Sequence, residues 1–144
     1  VVSLDYEMPA AVAEAFEYPD RQVFTMTSDI DILMTSQVLA MVEQQGLSVV
    51  VIVVNNGLLG TIRMHQEMHY PGRTENTDLH NPDFVALAGA HGFAAERITQ
   101  TAEFGPALRR ALDVSGSMLI ELVTDAEAIA HTATLSEIRA RSTS

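Results

Sequence analysis

The sequence predicts an α/β fold, three-layered and doubly wound, in which a mainly parallel sheet carries helices on both faces. Two β-branched runs, residues 22–27 and 49–54, enclose a helix-length segment, residues 32–45, which Gly46 ends. A strand, a helix and a strand at this spacing form a right-handed βαβ unit with parallel strands. The second run is apolar throughout, which is typical of a parallel strand that helices cover on both faces.

The elements outside this unit continue the alternation of helix and strand. Residues 8–16 indicate a helix with Pro9 in its first turn. Asn81 as N-cap and Pro82 at the first helical position predict a helix that extends to His91. The other expected elements are, in chain order, a helix over residues 60–69, a loop over 70–80, a strand over 95–99, a helix from Thr101 and a strand over 118–123.

The length and the pattern indicate one domain. A chain of 144 residues can bury a core of its own, and no internal repeat or linker interrupts it. We therefore expect a single domain over residues 1–144. Serine and threonine are frequent near the C-terminus, so we expect a tail that frays over about residues 132–144.

The composition excludes several classes of function. The formal net charge is −11 and all eight basic residues are arginine, so the basic surface of a nucleic-acid-binding protein is missing. The absence of lysine and cysteine excludes Schiff-base chemistry, disulfides and thiolate metal sites. No apolar run has the length of a membrane span and no targeting segment is visible, so we expect no membrane partner and a cytoplasmic location.

Two polar residues follow the two strands of the βαβ unit. Asp29 and Asn56 each lie just past the carboxyl end of a strand, at the edge where open α/β sheets bind ligands. A carboxylate and an amide that converge there suit a hard cation carrying phosphate oxygens. The alternative is that both residues belong to ordinary turns, since Asp and Asn are common turn residues.

Several short motifs together carry a resemblance over essentially the whole chain. They are Met8-Pro9-Ala10-Ala11, Tyr18-Pro19-Asp20-Arg21, Leu33-Met34-Thr35-Ser36-Gln37, Val53-Val54-Asn55-Asn56-Gly57, Gly60-Thr61-Ile62-Arg63-Met64-His65-Gln66, Tyr70-Pro71-Gly72-Arg73 and Asn81-Pro82-Asp83-Phe84. In these motifs the chain resembles the diphosphate-binding (C-terminal) domain of thiamine-diphosphate-dependent enzymes, in the group of acetolactate synthase, benzoylformate decarboxylase and pyruvate decarboxylase. The resemblance implies the thiamine-diphosphate-binding fold and a place in a 2-oxo acid decarboxylase or carboligase.

The family motif, Gly-Asp-Gly followed later by Asn-Asn, implies a magnesium site. Matched residue by residue, Asp29 and the side-chain oxygen of Asn56 would be Mg²⁺ ligands, with the backbone carbonyl of Leu58 as the third protein ligand. The metal would bridge the two phosphates of thiamine diphosphate, which would allow an acidic domain to hold an anion.

Further positions match residues that contact the cofactor in the family. Backbone groups around Ile30-Asp31 and Gly60-Thr61 would contact phosphate oxygens. Leu4 matches the bulky residue that holds the cofactor bent, and Val2 matches a backbone carbonyl that accepts a hydrogen bond from its amino group. The cofactor-binding set implied by the resemblance is Val2, Leu4, Ser28, Ile30, Asp31, Gly60 and Thr61.

The resemblance assigns no catalytic residue to this chain. In the family, the glutamate that activates the cofactor belongs to a separate pyrimidine-binding domain, usually on the partner subunit. Activity would therefore need that domain or a partner subunit, in a possible homodimer. The chain would be part of a lyase or transferase and not catalytic alone.

Some positions depart from the family's pattern. Ser28 and Ile30 replace both glycines of the motif, and Asp5 and Glu7 stand where the family favours glycine or small residues. Glycine serves where backbone approaches phosphate or adopts a positive φ, and a β-branched residue such as Ile30 is poorly suited to both. The alternative function is therefore an excised, engineered or degenerate stand-alone domain that keeps the fold but has lost cofactor binding and activity.

One histidine pair has the spacing of a metal site. His65 and His69 are four residues apart on the helix expected over residues 60–69, a spacing found in zinc sites. Gln66 stands where the zinc-protease motif has glutamate, which favours a solvated helix face instead.

Overall fold

The computed structural model describes residues 4–143. Val2, a predicted cofactor contact, lies outside the described residues. The chain divides into two compact units: the first runs up to Asn55 and includes Pro82–Val123, and the second comprises Asn56–Asn81 and the chain from Thr124. The expectation of a single domain over the whole chain stays a prediction.

In the described part of the chain, a four-stranded parallel sheet lies in the first unit. Its strands are β1 (Val23–Ser28), β2 (Val49–Asn55), β3 (Ala94–Ile98) and β4 (Met118–Val123). Their order across the sheet is β1-β2-β4-β3, and each neighbouring pair is parallel. The register pairs Ser28 with Val54, so β1 and β2 end side by side. The predicted α/β fold with a parallel sheet is confirmed.

Helices connect and follow these strands. They are α1 (Glu7–Glu17), α2 (Asp29–Thr35), α3 (Val38–Gln44), α4 (Gly60–His69), α5 (Phe84–Ala90), α6 (Thr101–Asp113) and α7 (Leu135–Ser142). The helices α4 and α7 belong to the second unit. Within residues 4–143, no helix is long and apolar enough to cross a membrane.

Alternate residues of β2 belong to different apolar clusters. Val49, Val51 and Val53 pack with buried residues of α1, α2, α3 and α5. Val50 and Ile52 pack with buried residues of α6. Because successive side chains of a strand point to opposite faces, helices cover both faces of the sheet, and the predicted three layers are confirmed.

The single helix expected over residues 32–45 is wrong. Two shorter helices, α2 and α3, occupy this region, and α2 begins at Asp29, directly after β1. The side chain of Ser28 accepts a hydrogen bond from the N–H of Asp31, so this N-cap starts the helix at the end of the strand. Between the two helices the chain makes i→i+3 hydrogen bonds, the tighter pattern that interrupts an α-helix.

The cap of α5 also differs from the expectation. Asp83 is the N-cap instead of Asn81, and its carboxylate accepts hydrogen bonds from the N–H groups of Val85 at 3.0 Å and Ala86 at 3.2 Å. One carboxylate oxygen thus satisfies two of the donors at the helix start. Pro82 therefore precedes the cap and does not open the helix.

The C-terminal segment forms α7 within the region where fraying was expected. The N–H of Glu137 donates to Thr134 Oγ1 at 3.2 Å, and the N–H of Thr134 donates to Glu137 Oε2 at 2.9 Å. This reciprocal capping box satisfies donors at the start of the helix. Leu135–Ser142 is therefore helical, and the expectation of a frayed tail over about residues 132–144 stays a prediction.

Candidate functional site

The first candidate region is the turn at the carboxyl end of β1, residues 28–31, which we name the first turn. Asp29, its expected metal ligand, is the first residue of α2 and only 1% exposed. Ser28 is the last residue of β1 and lies beside Val54 of β2. The first turn therefore lies at the sheet edge where ligands of α/β folds bind.

Side chains of the first turn accept hydrogen bonds from its own backbone N–H groups. The N–H of Ile30 donates to Asp29 Oδ1 at 3.0 Å, and the N–H of Asp31 donates to Ser28 Oγ at 3.3 Å. Ser28 Oγ in turn donates to Asp31 Oδ2 at 2.7 Å. The backbone groups that were expected to contact phosphate at Ile30 and Asp31 are thus bonded to neighbouring side chains.

Asp31 is a second buried carboxylate in the first turn. It is 7% exposed, and its Oδ1 atom is buried without a hydrogen-bond partner among residues 4–143. The backbone of Asp31 was expected at the site, whereas its buried carboxylate was not predicted. A serine followed three residues later by an acid, ahead of an apolar run, is a signal of this cap that was overlooked.

Ile30 is not strained by the lost glycine. It is the second residue of α2 and does not belong to the described non-glycine residues with positive φ, which are Asp5 and Asn76. The expectation of a positive φ at this position is therefore wrong, while the expectation that Ile30 hinders the approach of a phosphate stays a prediction. By contrast, Asp5 has a φ of 64°, which agrees with the family's preference for small residues there.

The second candidate region is the turn that follows β2, residues 56–61, which we name the second turn. The N–H of Leu58 donates to Asn56 Oδ1 at 3.0 Å, which orients the amide side chain. Leu58 forms an isolated antiparallel bridge with Asp78. The hydrogen bonds of this bridge use the N–H of Leu59 and the carbonyl of Gly57, so its pattern does not involve the carbonyl of Leu58.

The second turn leads into α4, whose first residues are Gly60 and Thr61. The N-cap is Leu59, and among the described residues its side chain makes no capping hydrogen bond. A Cβ atom at Gly60 would lie 2.5 Å from Cδ1 of Ile129 and 3.1 Å from Nδ2 of Asn56, so the backbone there passes close to its neighbours. An uncapped helix start with a glycine is suited to receive an anion.

An ion pair links α4 to α7 within the second unit. Glu67 of α4 is fully buried and accepts hydrogen bonds from Arg139 of α7, with Nε at 2.8 Å from Oε2, and from the N–H of Gly72 at 2.9 Å. Arg139 and the N–H of Gly72 lower the pKa of Glu67 from 4.5 to about 2, against the opposing effect of burial. Nearby, Arg63 donates to Thr77 and to Asp78 Oδ1.

A second network, which was not predicted from the sequence, lies in the first unit. Glu121 of β4 is 2% exposed and accepts from Nδ2 of Asn55 at 2.7 Å and from Nε of Arg97 at 2.6 Å. Arg97 also donates to Asp83 at 2.9 Å. The hydrogen bond and charge of Glu121 raise the pKa of Arg97. The signal in the sequence was a single glutamate inside the apolar run of β4.

The remaining predicted residues are exposed. Leu4 is 58% exposed. His65 and His69 are both exposed on α4 with parallel rings whose centroids are 6.3 Å apart. Among the described residues no group of three or more His, Cys, Asp or Glu side chains is arranged to hold a metal ion.

The residues fit the two parts of a metal–diphosphate ligand differently. The carboxylate of Asp29, the amide oxygen of Asn56 and the carbonyl of Leu58 are the oxygen donors that Mg²⁺ prefers. The second turn offers an uncapped helix start. The first turn does not fit a phosphate, because the N–H groups of Ile30 and Asp31 are occupied and Asp31 adds a negative charge.

Comparison with known proteins identifies the relatives of this chain. Residues 1–122 match the family described as "Thiamine pyrophosphate enzyme, C-terminal TPP binding domain". The chain is 34% identical over 118 residues to the acetolactate synthase large subunit of Corynebacterium glutamicum, a match that covers 78% of this chain and 19% of that protein. It is 39% identical over 99 residues to the acetolactate synthase large subunit of Parasynechococcus marenigrum, covering 67% of this chain and 16% of that protein.

A solved structure has the same fold. It is the thiamine diphosphate-dependent 4-hydroxybenzoylformate decarboxylase of Rhodococcus jostii RHA1, with a TM-score of 0.78 and 31% sequence identity. The match covers 85% of this chain and 23% of the decarboxylase. The chain therefore spans roughly a fifth of the length of the relatives that it matches.

Proposed function

The chain belongs to the family of C-terminal thiamine pyrophosphate-binding domains, and from this membership we propose that it is the thiamine diphosphate- and Mg²⁺-binding part of a 2-oxo acid decarboxylase or carboligase. The protein would anchor the diphosphate through the metal, and the cofactor would supply the carbanion chemistry. Both named types of relative, an acetolactate synthase and a decarboxylase, are compatible with this reaction class.

The proposed metal ligands are Asp29, the side-chain oxygen of Asn56 and the backbone carbonyl of Leu58. The observation that carries this assignment is the burial of Asp29, 1% exposed, at the carboxyl end of β1. A hard oxygen donor in this position suits a divalent cation. Asn56 and Leu58 follow β2 in the order that the family motif requires.

The proposed phosphate contacts of the second turn are the N–H groups of Gly60 and Thr61. They begin α4, whose N-cap Leu59 supplies no side-chain acceptor among the described residues. Free helix N-terminal donors and the helix dipole favour an anion. Leu4 and Val2 complete the proposed cofactor contacts by position in the family pattern alone.

Other parts of a larger protein would complete the activity. Because the chain matches about a fifth of its relatives, we propose that a pyrimidine-binding domain, in the same polypeptide or in a partner subunit, supplies the catalytic glutamate. A homodimer and a cytoplasmic location are part of the same proposal.

Isothermal titration of thiamine diphosphate with Mg²⁺ tests the proposal. We expect binding that EDTA abolishes and that Asp29→Asn weakens by about tenfold or more, since a charged ligand is lost. Asp113→Asn, an exposed acid at the end of α6, is the matched control and should bind like the unaltered chain. Binding that is indifferent to EDTA and to Asp29→Asn would contradict the proposed metal site.

A second candidate function is a domain that keeps the fold without cofactor affinity. The self-bonded first turn favours it, because donors that a phosphate would use are occupied. The same titration decides between the two, since this candidate predicts no binding in the presence of Mg²⁺.

A further inference from the structure

The first turn is closed by its own side chains at the place where an anion would bind. The N–H groups at a helix start attract phosphate oxygens because they have no partner within the helix. Here Asp29 Oδ1 accepts from Ile30 at 3.0 Å, and Ser28 Oγ accepts from Asp31 at 3.3 Å. Two donors that a phosphate would use are therefore bonded within the turn.

The carboxylate of Asp31 adds a negative charge to the first turn, whose N–H groups are closed off by its own side chains. Ser28 Oγ donates to Asp31 Oδ2 at 2.7 Å, which holds the carboxylate over the start of the helix. Asp31 is 7% exposed, and its other oxygen is buried without a partner in the described part of the chain. A phosphate at this turn would meet the charge of Asp31 as well as that of Asp29, and like charges repel most strongly where water is excluded.

We propose that Ser28 and Asp31 act together as an intramolecular substitute for a phosphate group and lower the affinity of this chain for diphosphate ligands. This inference rests on the proposed function, because it concerns the affinity of that site. It makes Asp31 the residue of the first turn that most lowers the affinity for a diphosphate. Ile30 has a secondary role, because its backbone is helical and its N–H bonds to Asp29, not to Asp31.

The test compares Mg²⁺-dependent binding of thiamine diphosphate to the unaltered chain, Ser28→Gly, Asp31→Asn and the double variant. Asp31→Asn removes the charge with little change of shape, and Ser28→Gly releases the N–H of Asp31. We expect the double variant to bind about tenfold more tightly or better, because a repulsion is removed and a donor is released. Asp113→Asn should show no gain, and thermal unfolding checks that each variant is folded.

Inorganic pyrophosphate with Mg²⁺ serves as the second probe. An affinity gain shared by pyrophosphate and thiamine diphosphate supports the closure, and Asp29→Asn in the double variant should abolish it. A gain with thiamine diphosphate alone would overturn the inference, because the effect would then not arise at the phosphates.

The failures of the two proposals are distinguishable. If the unaltered chain and the double variant both bind with equal affinity, the closure is wrong and the proposed function stands. If no variant binds thiamine diphosphate with Mg²⁺, the proposed function is overturned and the inference with it.

Discussion

At the first turn the N-cap of α2 is Ser28, whose side chain accepts a hydrogen bond from the helix, whereas the N-cap of α4 at the second turn is Leu59, which has no acceptor to offer. The two turns also differ in their glycines, since only the second turn contains them. Gly57 has a φ of 67°, and a Cβ at Gly60 would lie 2.5 Å from Ile129. At the first turn, Ser28 has a φ of −85° and Ile30 lies in a helix.

This difference separates the demands of the fold from those of the ligand. The second turn holds Gly57 at a positive φ, which favours glycine, while the first turn forms without glycine. The absence of glycine at the first turn is therefore compatible with the fold, and its effect on anion binding is the proposal to be tested.

The second turn leads into α4, which is held within its unit by the ion pair between the buried Glu67 and the half-exposed Arg139. Arg139→Ala should cause the largest loss of stability among these variants, because it leaves the buried carboxylate of Glu67 without its cation. Denaturant unfolding followed by circular dichroism measures this. Arg109→Ala, an exposed arginine on α6, is the control, and an equally small effect of both variants would contradict the role of the pair.

The carboxylate of Glu67 should also make the stability of the protein depend on pH. The pKa of Glu67 is lowered in the folded protein from 4.5 to about 2, so its contribution is fully present above pH 4.5 and is lost as the pH falls towards about 2. The thermal unfolding temperature of the unaltered chain should therefore fall as the pH is lowered through this interval. Glu67→Gln should show a flatter pH dependence there, and an unchanged slope would show that other carboxylates dominate.

The contrast in glycines is tested by two reciprocal substitutions. Gly57→Ala should cost about 1 kcal/mol, because an L residue with a Cβ is disfavoured at a positive φ. Ser28→Gly should cost only a few tenths of a kcal/mol, since glycine is a tolerated N-cap. Unfolding midpoints of both variants measure the difference, and a reversed order would break the contrast.

The smallest effect is expected at Asp5. Its φ of 64° favours glycine, so Asp5→Gly should raise the free energy of unfolding by about 0.5 kcal/mol, with unfolded-state entropy offsetting part of the gain. Glu14→Gly, in the interior of α1, should instead destabilise the protein by about 1 kcal/mol. Effects of the same sign would contradict this reading of the backbone.

Local pattern predicted the strands well and the details of the turns less well. The apolar run of β2 and the βαβ spacing were sufficient for the parallel sheet, since both depend on neighbours in sequence. The start of α2 was not predicted, because Asp29 and Ile30 were interpreted only as positions of the family motif. The helix start depends instead on the hydroxyl of Ser28, which caps it. That cap could have been read from the spacing of Ser28 and Asp31.

The ion pairs could not be predicted from local pattern. Arg97 and Glu121 are 24 residues apart, and Glu67 and Arg139 are 72 apart. Such pairs can be predicted only when the strand order and the helix packing are known, and neither follows from the residues alone. The buried glutamate of β4 was visible as an exception in an apolar run, but its partners were not.

The closure of the first turn is tested most directly by amide hydrogen exchange at Asp31, measured by NMR in the ligand-free chain. The hydrogen bond to Ser28 Oγ predicts an amide that is protected, with Ser28→Ala removing the protection and costing about 1 kcal/mol of stability. The N–H of Thr61 at the uncapped start of α4 should exchange faster. An Asp31 amide that exchanges as fast as that of Thr61, and no faster after Ser28→Ala, would contradict the account.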